Sequence, residues 1–435
     1  MIMLIYSEHI TPRLKYVVRF IFNDFLGTGA EITSDKELFS KMSGPKLSYA
    51  AERLNDEFNI LPSGLLFEDQ IREIKPEVSI WDDMKMIFPV SGQADLTFDL
   101  FAGVFFLLVR YEEYLPFKGD KYGRFRAEES AAFKNGFLER AIVDRWILRF
   151  FDILKEKYPN LTSTRKNFRC IPTVDVDMPY EYLLKGTLRC LSGAAKSILK
   201  LDFKKLKERL DVVTGKQQDP FYTFDRIKEI HDNPGLVTFF LTAGYGRYDK
   251  GIDPSYAEFK KIVNHVSFFS FIGLHPSWES NRKSGLLEKE LNTLSRITEK
   301  SITRSRQHYL IIDFPGTYNK LSSLGITEDY SMGYASHTGF RAGTCTPFHF
   351  YDLMKESETP LVIYPFQVMD RTLKDYMKMR PPEAIQKICE IIGEVRAVNG
   401  TFISIWHNDT FSDAGEWKGW MEVYENLLET VNGKL

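Results

Sequence analysis

The residues best suited to chemistry are the two carboxylates of Val174-Asp175-Val176-Asp177, within the stretch Ile171-Pro172-Thr173-Val174-Asp175-Val176-Asp177-Met178-Pro179-Tyr180. The β-branched Thr173, Val174 and Val176 argue for a strand, and the proline that follows argues that it stops there. Side chains alternate along an extended chain, so Asp175 and Asp177 project from one face. Two carboxylates held side by side repel unless a cation or a shared proton offsets them. The spacing points to a metal ligand beside a base, with a solvated acid-rich strand end as the plain alternative.

Two other stretches end in groups of the same kind. Phe271-Ile272-Gly273-Leu274-His275-Pro276-Ser277-Trp278-Glu279 and Phe402-Ile403-Ser404-Ile405-Trp406-His407-Asn408-Asp409 each run through apolar residues into a histidine. One histidine after an apolar strand reads as a structural residue. Two of them, with the D-x-D, at the carboxyl ends of strands in one sheet read as a shared site, because such ends converge on one mouth.

The elements that must hold these groups follow from periodicity. From residue 168 onward strands and helices alternate, the pattern of a parallel α/β sheet or barrel. Strands are expected at 170–177, 236–242, 269–274, 308–313, 330–334, 361–364 and 401–406. Helices are expected at 221–231, 254–265, 286–298 and 383–398, with a closing helix at 417–431. A lysine-rich segment, 196–209, reads as a helical insertion whose solvated face accounts for its charge.

Residues 1–160 read as an α+β domain: a strand at 3–6, helices at 12–25, 99–114 and 143–158, then a linker at 159–164. The 99–114 helix is apolar on most sides and is expected to be buried. It runs into Arg110-Tyr111-Glu112-Glu113-Tyr114, and Asp120-Lys121-Tyr122-Gly123-Arg124-Phe125 follows. Charges among aromatics there suggest an ion-paired lattice around Arg110 and Arg124, or a ligand surface.

Composition sets outer limits. At 435 residues the chain exceeds one ordinary core, so two domains are expected. A formal net charge of −2 with mixed signs implies no polyanion-binding surface, which argues against nucleic acid as a partner. The four cysteines (Cys170, Cys190, Cys345 and Cys389) have neither zinc-ribbon nor redox spacing and read as reduced thiols of a cytoplasmic protein. The apolar run at 100–109 is too short to span a bilayer, and residues 1–6 lack the basic start of a signal peptide. A carbohydrate substrate would then be met inside the cell. Oligomeric state does not follow from the sequence.

The order D-x-D, G-x-H, a proline-bearing strand and a late apolar-x-H resembles the NodB-type polysaccharide deacetylases, carbohydrate esterase family 4, over about residues 168–435. The resemblance implies a distorted (β/α) barrel of about seven strands and a metal-dependent hydrolase that removes N-acetyl groups from a sugar or glycan. It implies Asp175 as general base, Asp177 and His275 as ligands of a divalent metal (Zn²⁺, with Co²⁺ or Ni²⁺ as substitutes), and His407 as the acid that protonates the leaving amine. The family's second metal histidine falls at Glu279, which is either a third ligand or a surface residue after the Pro276 turn. His337 is a further candidate for that role. The family's R-x-P-type motif is matched to Ile312-Asp313-Phe314-Pro315-Gly316-Thr317-Tyr318, which lacks the arginine, so Arg341 is expected to hold the base and the Gly316-Thr317 amides the oxyanion. Trp278, Tyr318, Tyr330 and Trp406 are candidates to stack on a sugar ring, with core packing as the alternative. The block before residue 160 resembles an uncharacterised domain that precedes such deacetylase domains in Bacteroidetes-type proteins.

Two other classes remain open at this point. A D-x-D glycosyltransferase would need a nucleotide-binding α/β unit upstream, which residues 1–160 do not resemble. A non-catalytic carbohydrate-binding or scaffold protein would have kept the barrel and lost the metal.

Overall fold

A computed structural model describes residues 2–231 and 235–433, with only the backbone described for 187–189. Two compact units result, and neither is continuous in sequence. The first comprises Met1–Cys170, Ile312–Val368 and Glu390–Ile403; the second comprises Ile171–Ile311, Met369–Cys389 and Ser404–Leu435.

In the first unit, Met3–Tyr6 lies at the centre of a parallel sheet ordered Ala30–Thr33, Met3–Tyr6, Lys46–Tyr49, Phe58–Ile60. The expected 12–25 helix begins at Pro12, capped by the Thr11 hydroxyl, and changes to a wider π-helical turn from Arg19 to Phe25. Leu100–Leu108 is buried at every position, which is why its sequence is apolar all round. It stops where Arg110 takes a left-handed conformation at φ 56°. Ile142–Lys157 is amphipathic and turns Trp146, Ile147, Phe150 and Leu154 inward.

The second unit holds the parallel strands that carry the candidate site. Arg169–Val176 pairs with Val237–Leu241, which pairs with Phe271–His275, which pairs with the two-residue strand Arg304–Ser305. Val237–Leu241 is buried at all five positions, as expected of a parallel strand covered on both faces. Gly273 stands opposite Phe239 in this register, and a Cβ there would lie 2.4 Å from the Phe239 ring. Glycine is needed for the close approach. Thr401–His407 lies on the other side of Arg169–Val176. Among the described residues these strands form no closed sheet, so the barrel expected from the resemblance is not seen; the alternating α/β pattern itself is present.

Two strand expectations fail for local reasons. Residues 308–313 do not extend: His308–Leu310 is a tight turn in which Tyr309 and Leu310 both take left-handed φ values of 60° and 56°. Residues 330–334 likewise lie outside a ladder, pairing being confined to Glu328–Asp329. The lysine-rich insertion is a pair of helices, Thr187–Leu199 and Phe203–Val213. Among the described residues no helix is long and apolar enough to cross a membrane.

Candidate metal centre

The Asp175/Asp177 pair sits where the Arg169–Val176 strand ends, and the neighbouring strand ends bring imidazoles to it. Asp177 Oδ1 lies 3.2 Å from His275 Nε2, and its Oδ2 lies 3.5 Å from His308 Nε2. Donor atoms of Asp177, His275 and His308 all fall within 4.8 Å of one another.

Each histidine is oriented from behind. His275 Nδ1 donates to the Arg306 carbonyl at 2.6 Å, and His308 Nδ1 donates to Asp249 Oδ1 at 2.8 Å. With the outer nitrogens engaged as donors, both Nε2 atoms turn inward beside a carboxylate, where a bound cation would take the place of the proton that His308 holds. Asp249 is itself fixed by the Trp278 backbone N–H at 2.9 Å.

Burial alone would raise the Asp177 pKa, but His308 and His275 hold it well below the usual carboxylate range. Burial works against a charged His308, yet Asp177 and Asp249 outweigh it and push its pKa up to about 9. Asp177 Oδ1 is buried and has no hydrogen-bond partner. A buried carboxylate oxygen left unbonded costs on the order of 1–3 kcal/mol, which a cation at that point would offset. One carboxylate and two neutral imidazoles suit Zn²⁺ and other first-row divalent ions and leave positions open for water and substrate. The residues therefore fit the metal.

Asp175 points into the same space but is held differently. Arg306 Nη1 donates to Asp175 Oδ1 at 2.8 Å and to Thr173 Oγ1 at 2.7 Å, while its guanidinium lies 4.5 Å above the Phe239 ring. Thr173 Oγ1 in turn donates to the Ser404 carbonyl at 2.5 Å. On the far side, His407 Nδ1 donates to Asp370 Oδ1 at 2.8 Å, leaving Nε2 free. Asp370 also accepts from the His407 and Arg371 backbone N–H groups and from Thr410 Oγ1. Burial opposes a charged His407, but Asp370 outweighs it and pushes the pKa up to about 10. Arg371, beside Asp370, pairs with Asp409 and lies 4.4 Å over the Trp417 ring.

Comparisons with known proteins add little to this geometry. A family of unknown function, DUF7033, matches residues 3–159. No curated protein matches the chain. Among solved structures, it is similar to a candidate polysaccharide deacetylase from Mycobacterium smegmatis at 12% identity and a TM-score of 0.38, covering 60% of this chain and 84% of that one. A polysaccharide deacetylase from Bacillus cereus matches at 12% identity and a TM-score of 0.30, over 61% of this chain and 88% of its own. A mutant of a CE4-family pseudoenzyme with restored enzymatic activity matches at 11% and 0.28, over 64% and 65%. Likeness at this level decides neither the fold nor the activity.

Of the residues singled out by type and spacing, Asp175, Asp177, His275 and His407 come together. Glu279 does not: its carboxylate turns to Lys283 at 3.1 Å, and it lies outside the donor group. The third donor is His308, one turn past the short Arg304–Ser305 strand, where an extended segment was expected. Arg341 belongs to the first unit and binds Glu113, through Nε at 2.9 Å and Nη2 at 2.5 Å, while the arginine on Asp175 is Arg306. His337 bonds Ser336 Oγ at 2.9 Å, and Gly316 and Thr317 open a first-unit helix. Trp278 is buried and stacks on Tyr248 with centroids 4.2 Å apart. Tyr318 is buried against Phe314 and Phe350, Tyr330 stacks on Tyr364, and Trp406 is fully buried. These four aromatics pack the interior. Arg306-Gln307-His308 gave no signal by spacing, because neither its arginine nor its histidine follows an apolar strand.

Proposed function

We propose that this protein is a metal-dependent hydrolase that removes N-acetyl groups from a sugar or glycan, with Asp177, His275 and His308 as the metal ligands. The observation that carries the reading is the donor set itself: two imidazoles fixed from behind so that both Nε2 atoms face one underbonded carboxylate. A divalent ion bound there would polarise an acyl carbonyl and lower the pKa of a coordinated water.

The chain's own groups supply the proton handling. Asp175, oriented by Arg306, is the base within reach of a water at the Asp177 side of the site. His407 is kept protonated by Asp370, so its Nε2–H is available to a departing amine on the opposite flank. A base and an acid separated in this way serve amide cleavage, where the water loses a proton and the nitrogen gains one.

Metal content provides the first test. Purified protein is expected to bind one equivalent of Zn²⁺, Co²⁺ or Ni²⁺ that Asp177→Ala and His308→Ala both lose. Acetate release from N-acetylglucosamine oligomers is expected to disappear in Asp175→Ala with the metal retained. A wild-type protein that takes up no metal and releases no acetate after reconstitution would instead leave a non-catalytic carbohydrate-binding role.

A further inference from the structure

The helical pair Thr187–Leu199 and Phe203–Val213 is built the wrong way round for a solvated insertion. In the first helix the inward positions are small: Ser197 is buried, and Gly193 lies so close to the Arg209 guanidinium that a Cβ would meet it at 2.5 Å. Leu191, Ile198 and Leu199 fall on the opposite face, at helical spacing, and are exposed. In the second helix Phe203, Leu210 and Val213 form an exposed stripe at i, i+7 and i+10, while Val212 is buried. The connection adds Leu201. At the bend the exposures are large: Leu199 85%, Leu201 74% and Phe203 63%. Isolated exposed leucines are ordinary, but a continuous outward apolar face is not.

The charges around that face are not balanced. From Lys196 to Lys216 there are seven Lys/Arg and three Asp/Glu, in a chain whose formal net charge is −2. Two of the three acids are committed locally: Asp202 caps the second helix by accepting from the Lys205 N–H, and Glu208 accepts from the Tyr182 hydroxyl. Lys205 pairs with Glu181 at 2.9 Å. Among the described residues Lys196, Lys200, Lys204 and Lys207 meet no carboxylate, and all four are exposed. Apolar side chains flanked by unpaired lysines are the composition of a helix that lies in a membrane interface.

We infer that this hairpin docks on an anionic lipid surface, with Leu199, Leu201 and Phe203 entering the acyl boundary and Lys196, Lys200, Lys204 and Lys207 meeting the headgroups. A second copy of the chain is the less fitting occupant, since an isologous pairing through this face would set lysines against lysines. The inference is independent of the hydrolase reading, because it uses no residue of the metal centre.

Co-sedimentation of the full chain with vesicles tests it. Binding is expected to phosphatidylcholine vesicles that contain phosphatidylglycerol, to fall as salt is raised, and to be absent with phosphatidylcholine alone. The triple variant Leu199→Ser/Leu201→Ser/Phe203→Ser removes only outward side chains and is expected to weaken binding at least ~10-fold. Lys200→Glu/Lys204→Glu/Lys207→Glu, with the apolar face intact, is expected to abolish the preference for anionic vesicles. No binding of wild type to anionic vesicles at low salt overturns the proposal, as does binding unchanged in both variants. A dimer in light scattering that the serine variant dissociates, without vesicle binding, assigns the face to a second copy instead.

Discussion

Two buried charge clusters, one in each unit, show what separates a structural lattice from a reactive site. In the first unit Glu113 lies between two arginines. It accepts from Arg110 Nε at 2.8 Å and from Arg341 Nε and Nη2 at 2.9 and 2.5 Å. Arg341 Nη1 continues to the Gly333 carbonyl, and Arg110 Nη2 to the Tyr334 hydroxyl. Both carboxylate oxygens are used, and two guanidiniums are shared among partners that match their geometry. In the second unit Asp177 faces two imidazoles, His275 Nε2 on the side of Oδ1 and His308 Nε2 on the side of Oδ2, yet Oδ1 makes no hydrogen bond. Saturation marks the first cluster as a clamp. Convergent donor atoms around an underbonded carboxylate mark the second as the candidate site.

The sharpest way to break this contrast is to leave the clamp half made. Glu113→Gln strands two buried guanidiniums and is expected to destabilise the first unit by about 3–5 kcal/mol in chemical denaturation. Its pH dependence has a definite sign. Burial works to raise the Glu113 pKa, but Arg341 and Arg110 lower it below its ordinary value of 4.5. Its stabilisation is therefore complete above about 4.5 and lost as pH falls through the depressed value, because the unfolded chain takes up the proton first. Glu113→Gln should flatten that acid limb, and an unchanged limb would show that the clamp bears little of the unit's stability.

An acid limb in the second unit should begin at higher pH. His231 Nε2 meets the Tyr424 hydroxyl at 2.6 Å, and burial pushes its pKa down to about 4 from 6.5. The unfolded state binds the extra proton between these values, so stability is lost as pH falls through that window and levels off below about 4. His231→Gln is expected to remove up to about 3 kcal/mol of that dependence. Thermal midpoints measured from pH 7 down to pH 4 would show whether the slope disappears.

The same contrast explains how far the sequence could be read. Asp175, Asp177, His275 and His407 were visible because each ends an apolar strand, and strand ends converge whether or not the sheet closes. Leu100–Leu108 and Ile142–Lys157 were visible through apolar periodicity. Arg306 and His308 were hidden because the strand before them is two residues long and the turn after it uses two left-handed non-glycine residues. Such strained conformations are held by surrounding structure and leave no mark in composition. Arg341 pairs with Glu113 and not with Asp175, a choice invisible in sequence because a loop arginine beside glycines has no pattern that names its carboxylate. The discontinuous units were hidden for a related reason: nothing in Ile312–Val368 announces that it packs with the first 170 residues.

Convergence in the second cluster depends on the groups behind it, and this can be sharpened by changing one charge. Asp249→Asn keeps an oxygen that can accept from His308 Nδ1 but removes the carboxylate that polarises the ring. Metal affinity, measured by competition with a chromogenic chelator, is expected to fall about 10- to 100-fold with the fold intact. An affinity equal to wild type would mean that His308 needs no such support, and the comparison with the clamp would lose its second half.

The smallest effect is expected at Glu279, and it separates spacing from geometry most directly. Four residues after His275, this carboxylate occupies the position where a further ligand is expected by resemblance. Its partner is Lys283 one turn later, with side-chain exposures of 37% and 67%. An exposed pair of this kind contributes at most about 1 kcal/mol. Glu279→Ala should therefore shift the denaturation midpoint slightly and leave metal stoichiometry unchanged, whereas His308→Ala should abolish it. If metal is lost from Glu279→Ala and kept in His308→Ala, the three-residue donor group is wrong, and the turn that carries Glu279 must rearrange when the ion binds.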